Sequence, residues 1–268
     1  MKPYLIALDL DGTLLKDDKT ISDLSKTVIQ RARAEGHIVC IATGRPYRSS
    51  SLYYNELALN TPIVNFNGAY VHHPKDTAWG IHHKTLELNT VKDIIEVAEK
   101  HNIHNMLAEI IDDVYFHYHD EKLLDVFSMG DPNVTVGDLR ENLGDNVTSI
   151  LIHSKETEVE KIRHYLSEVH AEVVDHRRWG APWHVIEIIK AGINKAVGLD
   201  KIAAHFDIPQ ERVIAFGDED NDLEMLEYAG HGVAMGNAID KLKTVANKET
   251  RTNEEDGVAL YLKKTLDL

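Results

Sequence analysis

The chain has 268 residues, with 29 Lys plus Arg, 44 Asp plus Glu and a formal net charge of −15. This length and an apolar share of 43% suffice for one large domain or two unequal ones. The acidic balance argues against nucleic acid or an anionic membrane as a general partner, because either requires a basic face. The single Cys excludes an internal disulfide and is typical of a reducing compartment.

The N-terminal apolar run is interrupted by Asp9 and Asp11. It is too short for a signal peptide or a membrane span, and no later stretch is apolar for long enough. We therefore expect a soluble, cytoplasmic protein.

Three short apolar runs, at residues 4–8, 38–42 and 213–216, each end in a polar, Gly-containing segment. Unbroken β-branched and aliphatic runs are typical of strands buried on both faces of a parallel sheet. Residues 22–34 carry apolar side chains at helical spacing, and Gly36 is placed to end that helix. The pattern predicts a βαβ unit whose strands end at one edge of the sheet, where open α/β sheets bind ligands.

The middle of the chain has a different pattern. Two apolar runs within residues 105–118 flank an Asp-Asp pair and predict an antiparallel hairpin. A helix is predicted at 156–169, with strands around it at 147–153, 173–175 and 183–189. The parallel pattern resumes after Lys195.

We therefore predict a doubly wound, mainly parallel α/β core from residues 1–82 and 189–268, with an inserted α+β domain at residues 83–188. Charge divides at the same boundary. Residues 83–188 carry 10 Lys plus Arg against 21 Asp plus Glu, which is −11 of the total −15. An insert with this charge disfavours a substrate with several phosphates, because it would repel them.

Four aspartates follow the predicted strands. Asp9 and Asp11 come after the first run, and Asp218 and Asp222 come after the third. Because these strand ends meet at one edge, the carboxylates repel one another, and the native state needs a compensating cation. Oxygen ligands suit Mg²⁺, whereas zinc is disfavoured because no His/Cys set lies at zinc spacing near these acids. We expect a magnesium site.

Two further residues indicate catalysis as well as metal binding. Thr43 supplies a hydroxyl and backbone donors after the second run, and Lys195 opens the segment that returns to the core. A cation, a lysine and hydroxyl or amide donors can hold phosphoryl oxygens and their developing charge. An aspartate can attack phosphorus, and a second carboxyl can protonate the leaving oxygen and then activate water.

Four motifs occur in order along the chain: Asp9-Leu-Asp-Gly-Thr, Thr43-Gly-Arg, Lys195 and Gly217-Asp-x-x-Asn-Asp222. They resemble the four motifs of the haloacid dehalogenase superfamily. The position and length of the insert resemble the Cof-type branch of that superfamily, which has a large α/β cap (the C2B cap). Further matches are Asn67-Gly68-Ala69, Gly232-Val-Ala-Met-Gly-Asn-Ala238 and Asn253-Glu-Glu-Asp-Gly-Val258.

The resemblance implies that Asp9 is the nucleophile and Asp11 the general acid/base. It implies that Mg²⁺ is held by the Asp9 carboxylate, the Asp11 backbone carbonyl and Asp218, while Asp222 orients the metal's shell. The implied phosphate contacts are the Leu10 backbone, Thr43, Gly44, Lys195 and Asn221. Within the superfamily, an acid at the position of Asp11 distinguishes phosphohydrolases from members that lack one.

Three features leave alternatives open. The pair Asn67-Gly68 is a turn signal, with proximity to substrate an equal alternative. Arg45 is expected to pair with the acidic rim, although it could reach substrate. The loop from Arg177 to His184 mixes cations with aromatics. We predict that it faces the cleft, with Arg177 or Arg178 and a Trp contacting substrate, against the alternative that these side chains pack within the insert.

The sequence thus predicts a Mg²⁺-dependent phosphatase that acts on a small phosphomonoester, such as a sugar phosphate or a phosphorylated cofactor, through an aspartyl-phosphate on Asp9. One alternative is a phosphohexomutase with the same core chemistry, which would require a basic patch for its bisphosphate. A second is a non-catalytic protein that binds Mg²⁺ and phosphate, which the intact motif residues disfavour. The oligomeric state is not predicted.

Overall fold

The computed structural model describes residues 2–170, 172–178 and 184–268, apart from the side chain of Arg178. The strands in these ranges are β1 (Leu5–Leu8), β2 (Ile38–Ile41), β3 (Ile63–Asn65), β4 (Tyr70–His72), β5 (Ile81–His83), β6 (Asn105–Ile110), β7 (Asp113–Phe116), β8 (Val134–Val136), β9 (Ser149–His153), β10 (Val174–Arg178), β11 (Val185–Lys190), β12 (Val213–Gly217), β13 (His231–Ala234) and β14 (Lys248–Glu249). The helices are α1 (Asp23–Ala34), α2 (Tyr47–Glu56), α3 (Leu88–Glu99), α4 (Glu121–Phe127), α5 (Leu139–Asn142), α6 (Glu156–Val169), α7 (Lys195–His205), α8 (Leu223–Tyr228), α9 (Asp240–Val245) and α10 (Gly257–Leu266).

The chain forms two compact units. The first contains Met1–Arg45, Ser50–His82 and Asn194–Leu268. The second contains Pro46–Ser49 and His83–Ile193, so it extends a few residues beyond the predicted insert and includes a short segment from the start of helix α2.

A parallel sheet forms the centre of the first unit. Among the described residues its strand order is β14-β13-β12-β1-β2, and every pair is parallel. The chain leaves β1 toward β2 on one side and later returns to β12, β13 and β14 on the other side of β1. Because crossovers between parallel strands are right-handed, α1 and α8 lie on opposite faces. This confirms the predicted doubly wound core.

The predicted βαβ unit is confirmed nearly residue for residue. Ser22 precedes α1, and its side chain accepts a hydrogen bond from Ser25 N at 3.0 Å. Gly36 follows the helix with φ +91°, a conformation that glycine adopts without strain. The adjoining strand β2 contains the buried Cys40, and burial raises the pKa of its thiol to about 12. Cys40 is thus a small apolar residue of the core.

A second, small sheet in the first unit was not predicted. Its order is β3-β4-β5, and the bridge between Ala42 and Val64 joins its first strand to the end of β2. The turn Phe66–Gly68 connects β3 to β4 and packs against α7, the helix that begins at Lys195. This small sheet therefore brings the Asn67 turn to the edge of the parallel sheet.

The second unit contains a mixed, mainly antiparallel sheet. Its order in the described residues is β10-β11-β9-β6-β7-β8, and within it β7 and β8 are parallel. Helices α3, α5 and α6 pack their apolar residues on one face, and α4 packs on the other. The predicted hairpin of β6 and β7 and the helix at 156–169 are confirmed. This unit is the inserted α+β cap of the predicted fold class.

A buried ion pair lies within the second unit. Arg48 Nη2 lies 2.5 Å from Glu109 Oε1, and Ser149 Oγ donates to Glu109 Oε2 at 3.2 Å. Burial raises the pKa of Glu109, while Arg48 opposes the rise. The pair ties the segment Pro46–Ser49 to β6.

In the described part of the chain no helix is both long and apolar enough to cross a membrane.

Candidate active site

Lys195 and three aspartates form a buried cluster at the carboxyl edge of the parallel sheet. The Lys195 ammonium lies 2.6 Å from Asp9 Oδ1 and 2.7 Å from Asp222 Oδ1. Carboxylate oxygens of Asp9, Asp218 and Asp222 lie within 4.8 Å of one another. None of the four residues is more than 9% exposed. The structure thus joins residues from the ends of β1 and β12 with the first residue of α7.

The burial of these charges perturbs their protonation. Burial raises the pKa of Asp9 well above its ordinary value. Lys195 opposes this rise, and the charges of Asp222 and Asp218 add to it. Burial also raises the pKa of Asp218 to about 7, again with a contribution from Asp222. For Lys195, burial alone would lower the pKa, but Asp222 and Asp9 outweigh burial and raise it.

A divalent cation fits this donor set. Three carboxylates and one ammonium carry a formal charge of −2, which one such ion balances. Carboxylate oxygens are the ligands that Mg²⁺ prefers in proteins. Burial raises the pKa values of Asp9 and Asp218, and the neighbouring carboxylates add to the rise, so a cation bound here would favour the ionised forms. The residues predicted to hold a metal through their side chains therefore lie together.

Two neighbours of Asp218 complete this cluster, and sequence reasoning gave neither a role. Thr13 Oγ1 donates to Asp218 Oδ1 at 3.0 Å. Gly12, at φ +69°, lies so close to the Asp218 carboxylate that a Cβ there would collide with it. The only signal in the sequence was the Gly-Thr pair that ends the first motif.

Asp11 lies in a different environment from Asp9. Arg45 donates to its carboxylate twice, from Nε to Oδ2 at 2.6 Å and from Nη2 to Oδ1 at 2.7 Å. The Lys19 ammonium lies 2.8 Å from Oδ1. Burial acts to raise the pKa of Asp11, but Arg45 and then Lys19 outweigh it and lower the pKa to about 2. The expectation that Arg45 pairs with the acidic rim agrees with this geometry.

Three of the residues predicted to contact phosphate, Thr43, Gly44 and Asn221, contact Asn67. Thr43 is buried, and its hydroxyl accepts a hydrogen bond from Arg45 N at 3.1 Å. Gly44 packs against the side chain of Asn67, and Asn221 Nδ2 donates to Asn67 Oδ1 at 3.0 Å. Leu10 is buried in the turn after β1.

Two asparagines hold the loop that follows Asp9. Asn237 Nδ2 donates to Gly12 O at 2.8 Å, and Asn253 Nδ2 donates to Leu15 O at 3.0 Å. Asn253 N also donates to Asn237 Oδ1, which links the two. Both asparagines fall in segments that the sequence matched to the superfamily, yet no local pattern predicts a contact with a loop 225 positions earlier.

The predicted substrate loop lies largely outside the described residues. Arg177 is in β10, where it stands opposite Glu187 of β11. The side chain of Arg178 and residues 179–183, with both Trp of the loop, are not described. The contact of this loop with substrate stays a prediction.

Comparisons with known proteins agree with the motifs. A family model described as haloacid dehalogenase-like hydrolase matches residues 6–262. A 5-amino-6-(5-phospho-D-ribitylamino)uracil phosphatase of Bacillus subtilis (strain 168) is 68% identical over 267 residues, which covers 100% of this chain and 99% of that protein. A pyridoxal phosphate phosphatase of Escherichia coli (strain K12) is 30% identical over 280 residues, and the alignment covers 98% of this chain and 98% of that protein.

Solved structures show the same fold. A haloacid dehalogenase-like hydrolase from Bacteroides thetaiotaomicron superposes with a TM-score of 0.85 at 26% identity, over 98% of this chain and 100% of that chain. A haloacid dehalogenase-like hydrolase from Bacillus subtilis superposes with a TM-score of 0.82 at 28% identity, over 97% of this chain and 99% of that chain.

Proposed function

Since the chain belongs to the haloacid dehalogenase-like hydrolases and is a phosphatase of that family, we propose that it hydrolyses a small phosphomonoester through a phosphorylated Asp9. The observation that carries this proposal is the contact of Lys195 with Asp9 at 2.6 Å in a buried, acidic cluster. The lysine opposes the effect of burial on Asp9, so it favours the ionised form of this carboxylate, and it holds the carboxylate in one orientation, as a nucleophile requires.

In the proposed first step, an Asp9 oxygen attacks phosphorus, the bond between phosphorus and the ester oxygen breaks, and Asp11 gives its proton to the leaving oxygen. In the second step, Asp11 takes a proton from water, the water oxygen bonds to phosphorus, and Asp9 leaves as a carboxylate with release of inorganic phosphate. The Asp9 carboxylate, the Asp11 backbone carbonyl and Asp218 would hold Mg²⁺, which would supply positive charge to the phosphoryl oxygens. Asp222 orients Lys195 and the metal's shell.

Asp11 needs a change of partner to act as the acid. A carboxyl with a pKa of about 2 is ionised at neutral pH and has no proton to give. We infer that substrate binding exchanges the contacts of Asp11 with Arg45 and Lys19 for a contact with the leaving oxygen, and that Asp11 takes up a proton from solvent in this new environment before it donates it. Thr43, Gly44, Lys195, Asn221 and the Leu10 backbone hold the phosphate in this scheme.

For the substrate, we propose 5-amino-6-(5-phospho-D-ribitylamino)uracil. Support comes from the full-length relative at 68% identity that is named for this substrate. The compound carries one phosphate, which suits the net charge of −11 on residues 83–188. Pyridoxal phosphate is the second candidate, from the relative at 30% identity. Both names are those of phosphatases, which favours hydrolysis over the mutase alternative.

Phosphate release tests the proposal. Wild type, Asp9→Asn and Asp23→Asn are assayed with Mg²⁺ or with EDTA on a panel that contains both candidate substrates, hexose phosphates and a sugar bisphosphate. Asp23 serves as the matched control because its carboxylate is fully exposed in the first turn of α1. We expect Mg²⁺-dependent release from the ribitylamino uracil that is lost only in Asp9→Asn. Phosphate release by Asp9→Asn contradicts the proposal, and so does the absence of release by folded wild type with Mg²⁺. If phosphate is released faster from another monoester, that compound takes the place of the ribitylamino uracil as the proposed substrate.

A further inference from the structure

Asn67 connects two of the segments that are proposed to hold phosphate. Its backbone N donates to Thr43 O at 3.1 Å, and its side-chain Oδ1 accepts from Asn221 Nδ2 at 3.0 Å. The residue is 1% exposed. We infer that Asn67 is a positioning residue that fixes the Asn221 amide and the Thr43–Gly44 turn for phosphate binding. This inference rests on the proposed function.

The backbone at this turn is strained. Phe66 has φ +50° and Asn67 has φ +51°, so two consecutive residues other than glycine adopt the left-handed region. Asn tolerates this region, but for a bulky aromatic residue it is a genuine outlier. Such strain persists only where the surroundings impose it, and it clusters at functional sites. Here Phe66 N donates to Arg45 O at 3.3 Å, and Asn65 Nδ2 donates to the same oxygen at 2.8 Å.

Gly44 leaves room for the Asn67 amide. A Cβ at Gly44 would lie 3.2 Å from both Nδ2 and Oδ1 of Asn67, which is closer than most real contacts of a Cβ atom. No positive φ explains the glycine at this position, so the space it leaves is the reason that the structure offers. The Asn67 side chain therefore packs directly on the backbone of the second motif.

The hydrogen bond from Asn221 decides which way its amide faces. An amide side chain has two N–H donors at one end and an oxygen at the other. With one N–H held by Asn67 Oδ1, the plane of the Asn221 amide and the direction of its second N–H are fixed. Without this acceptor the amide can rotate and turn its oxygen toward a bound anion, which weakens binding instead of supporting it.

Binding of inorganic phosphate in the presence of Mg²⁺ tests the inference without any substrate. Calorimetry is performed on wild type, Asn67→Gly, Asn221→Ala and the double variant. Glycine suits the left-handed backbone at Asn67, so only the amide is removed. Asn102→Gly is the matched control, because Asn102 has φ +50° and is exposed in the second unit.

We expect each single variant to weaken phosphate binding about 10- to 100-fold, as for the loss of one hydrogen bond to a charged group. The double variant should bind no more weakly than the weaker single variant, because both changes remove one coupled unit. The control should bind like wild type. In steady-state assays of the same variants, the inhibition constant of phosphate should rise and kcat/KM should fall by similar factors.

Wild-type affinity in Asn67→Gly overturns the inference, as does a double variant in which the two losses multiply. A wild type that binds no phosphate also overturns it. Should Asn67→Gly not fold, Gly44→Ala, which crowds the Asn67 amide, replaces it in the cycle with Asn221→Ala. The proposed function fails separately, when wild type binds phosphate but turns over no phosphomonoester.

Discussion

Arg45 donates two parallel hydrogen bonds to the Asp11 carboxylate, from Nε to Oδ2 at 2.6 Å and from Nη2 to Oδ1 at 2.7 Å. Bidentate pairs of this kind are the strong, directional form of an ion pair. Asp11 is also the residue proposed to give up and take a proton. In the structure it is therefore held in the form that accepts a proton, 44% exposed and paired with two cations.

Removal of the Arg45 guanidinium should raise the pKa of Asp11. We expect the pKa of Asp11, about 2 in wild type, to rise toward its ordinary value of 3.8 in Arg45→Gln. Lys19→Gln should raise it less, because the Lys19 side chain is 53% exposed and its charge is screened by solvent. NMR titration of the Asp11 carboxyl carbon measures both changes. An Asp11 midpoint that is the same in Arg45→Gln and wild type would refute the assigned role of Arg45.

Mg²⁺ should stabilise the protein more strongly as the pH rises. In the folded state the pKa of Asp9 is raised and that of Asp218 is about 7, whereas both are near 3.8 when unfolded. The folded protein therefore binds protons that the unfolded chain has released, and without metal its stability falls as the pH rises from about 4 to 7. Protons and Mg²⁺ compete for these carboxylates.

Thermal unfolding with and without Mg²⁺ at pH 5.5, 7 and 8.5 measures this effect. At saturating metal, about 100 times its Kd, stabilisation of about 2.7 kcal/mol corresponds to a rise in Tm of roughly 5–10 °C. We expect this rise at pH 8.5, a smaller one at pH 5.5, and none in Asp218→Asn. Equal Mg²⁺ effects at all three pH values, or an undiminished effect in the variant, would place the metal elsewhere.

Lys195→Met should destabilise the protein by about 3–5 kcal/mol without metal, because it leaves Asp9 and Asp222 buried without a cation. Mg²⁺ should restore part of this loss. Lys241→Met is the control, since the Lys241 side chain is 66% exposed and pairs with Asp220 at the surface, where an ion pair contributes about 0–1 kcal/mol. Denaturant titration compares the two variants. Similar losses in both would mean that the buried lysine does not compensate the cluster.

Asp11→Asn should slow hydrolysis in a manner that depends on the leaving group. An alkyl alcohol must be protonated as it leaves, whereas a nitrophenolate leaves without help. We expect kcat/KM to fall about 100-fold or more for the alkyl phosphate, within the range of general acid catalysis, and less than tenfold for the nitrophenyl phosphate. Equal losses for the two substrates would exclude Asp11 as the acid.

The sequence predicted most of what positions the buried cluster. The strands that precede Asp9, Thr43 and Asp218 are unbroken apolar runs, and such runs are typical of a sheet covered on both faces. Because parallel strands end at one edge, the convergence of the aspartates followed from the element order. The role of Lys195 was predicted only from its place in the order of the motifs, because the sequence around a buried lysine does not distinguish it from a surface lysine.

The environment of Asp11 could not be read from the sequence to the same depth. Asp9 and Asp11 are two positions apart, yet one is paired with a buried lysine and the other with Arg45 and Lys19. Side-chain direction in a turn depends on backbone angles that hydrophobic patterns do not encode. For a similar reason the sequence left two roles open for Asn67, a turn or proximity to substrate, because an Asn-Gly pair marks a turn whether or not the turn lies beside a site.

Covalent labelling of Asp9 tests the central claim most directly. The Asp11→Asn variant is mixed with nitrophenyl phosphate and Mg²⁺ and quenched in acid after one turnover. The protein is then digested, and the masses of its peptides are measured by mass spectrometry. The account predicts a phosphoryl group on the peptide that contains Asp9, because phosphorylation proceeds while the loss of the Asp11 base slows hydrolysis. It predicts none in the Asp9→Asn, Asp11→Asn double variant. Turnover with no phosphorylated peptide, or a phosphoryl group on any other residue, would contradict the assignment of Asp9 as the nucleophile.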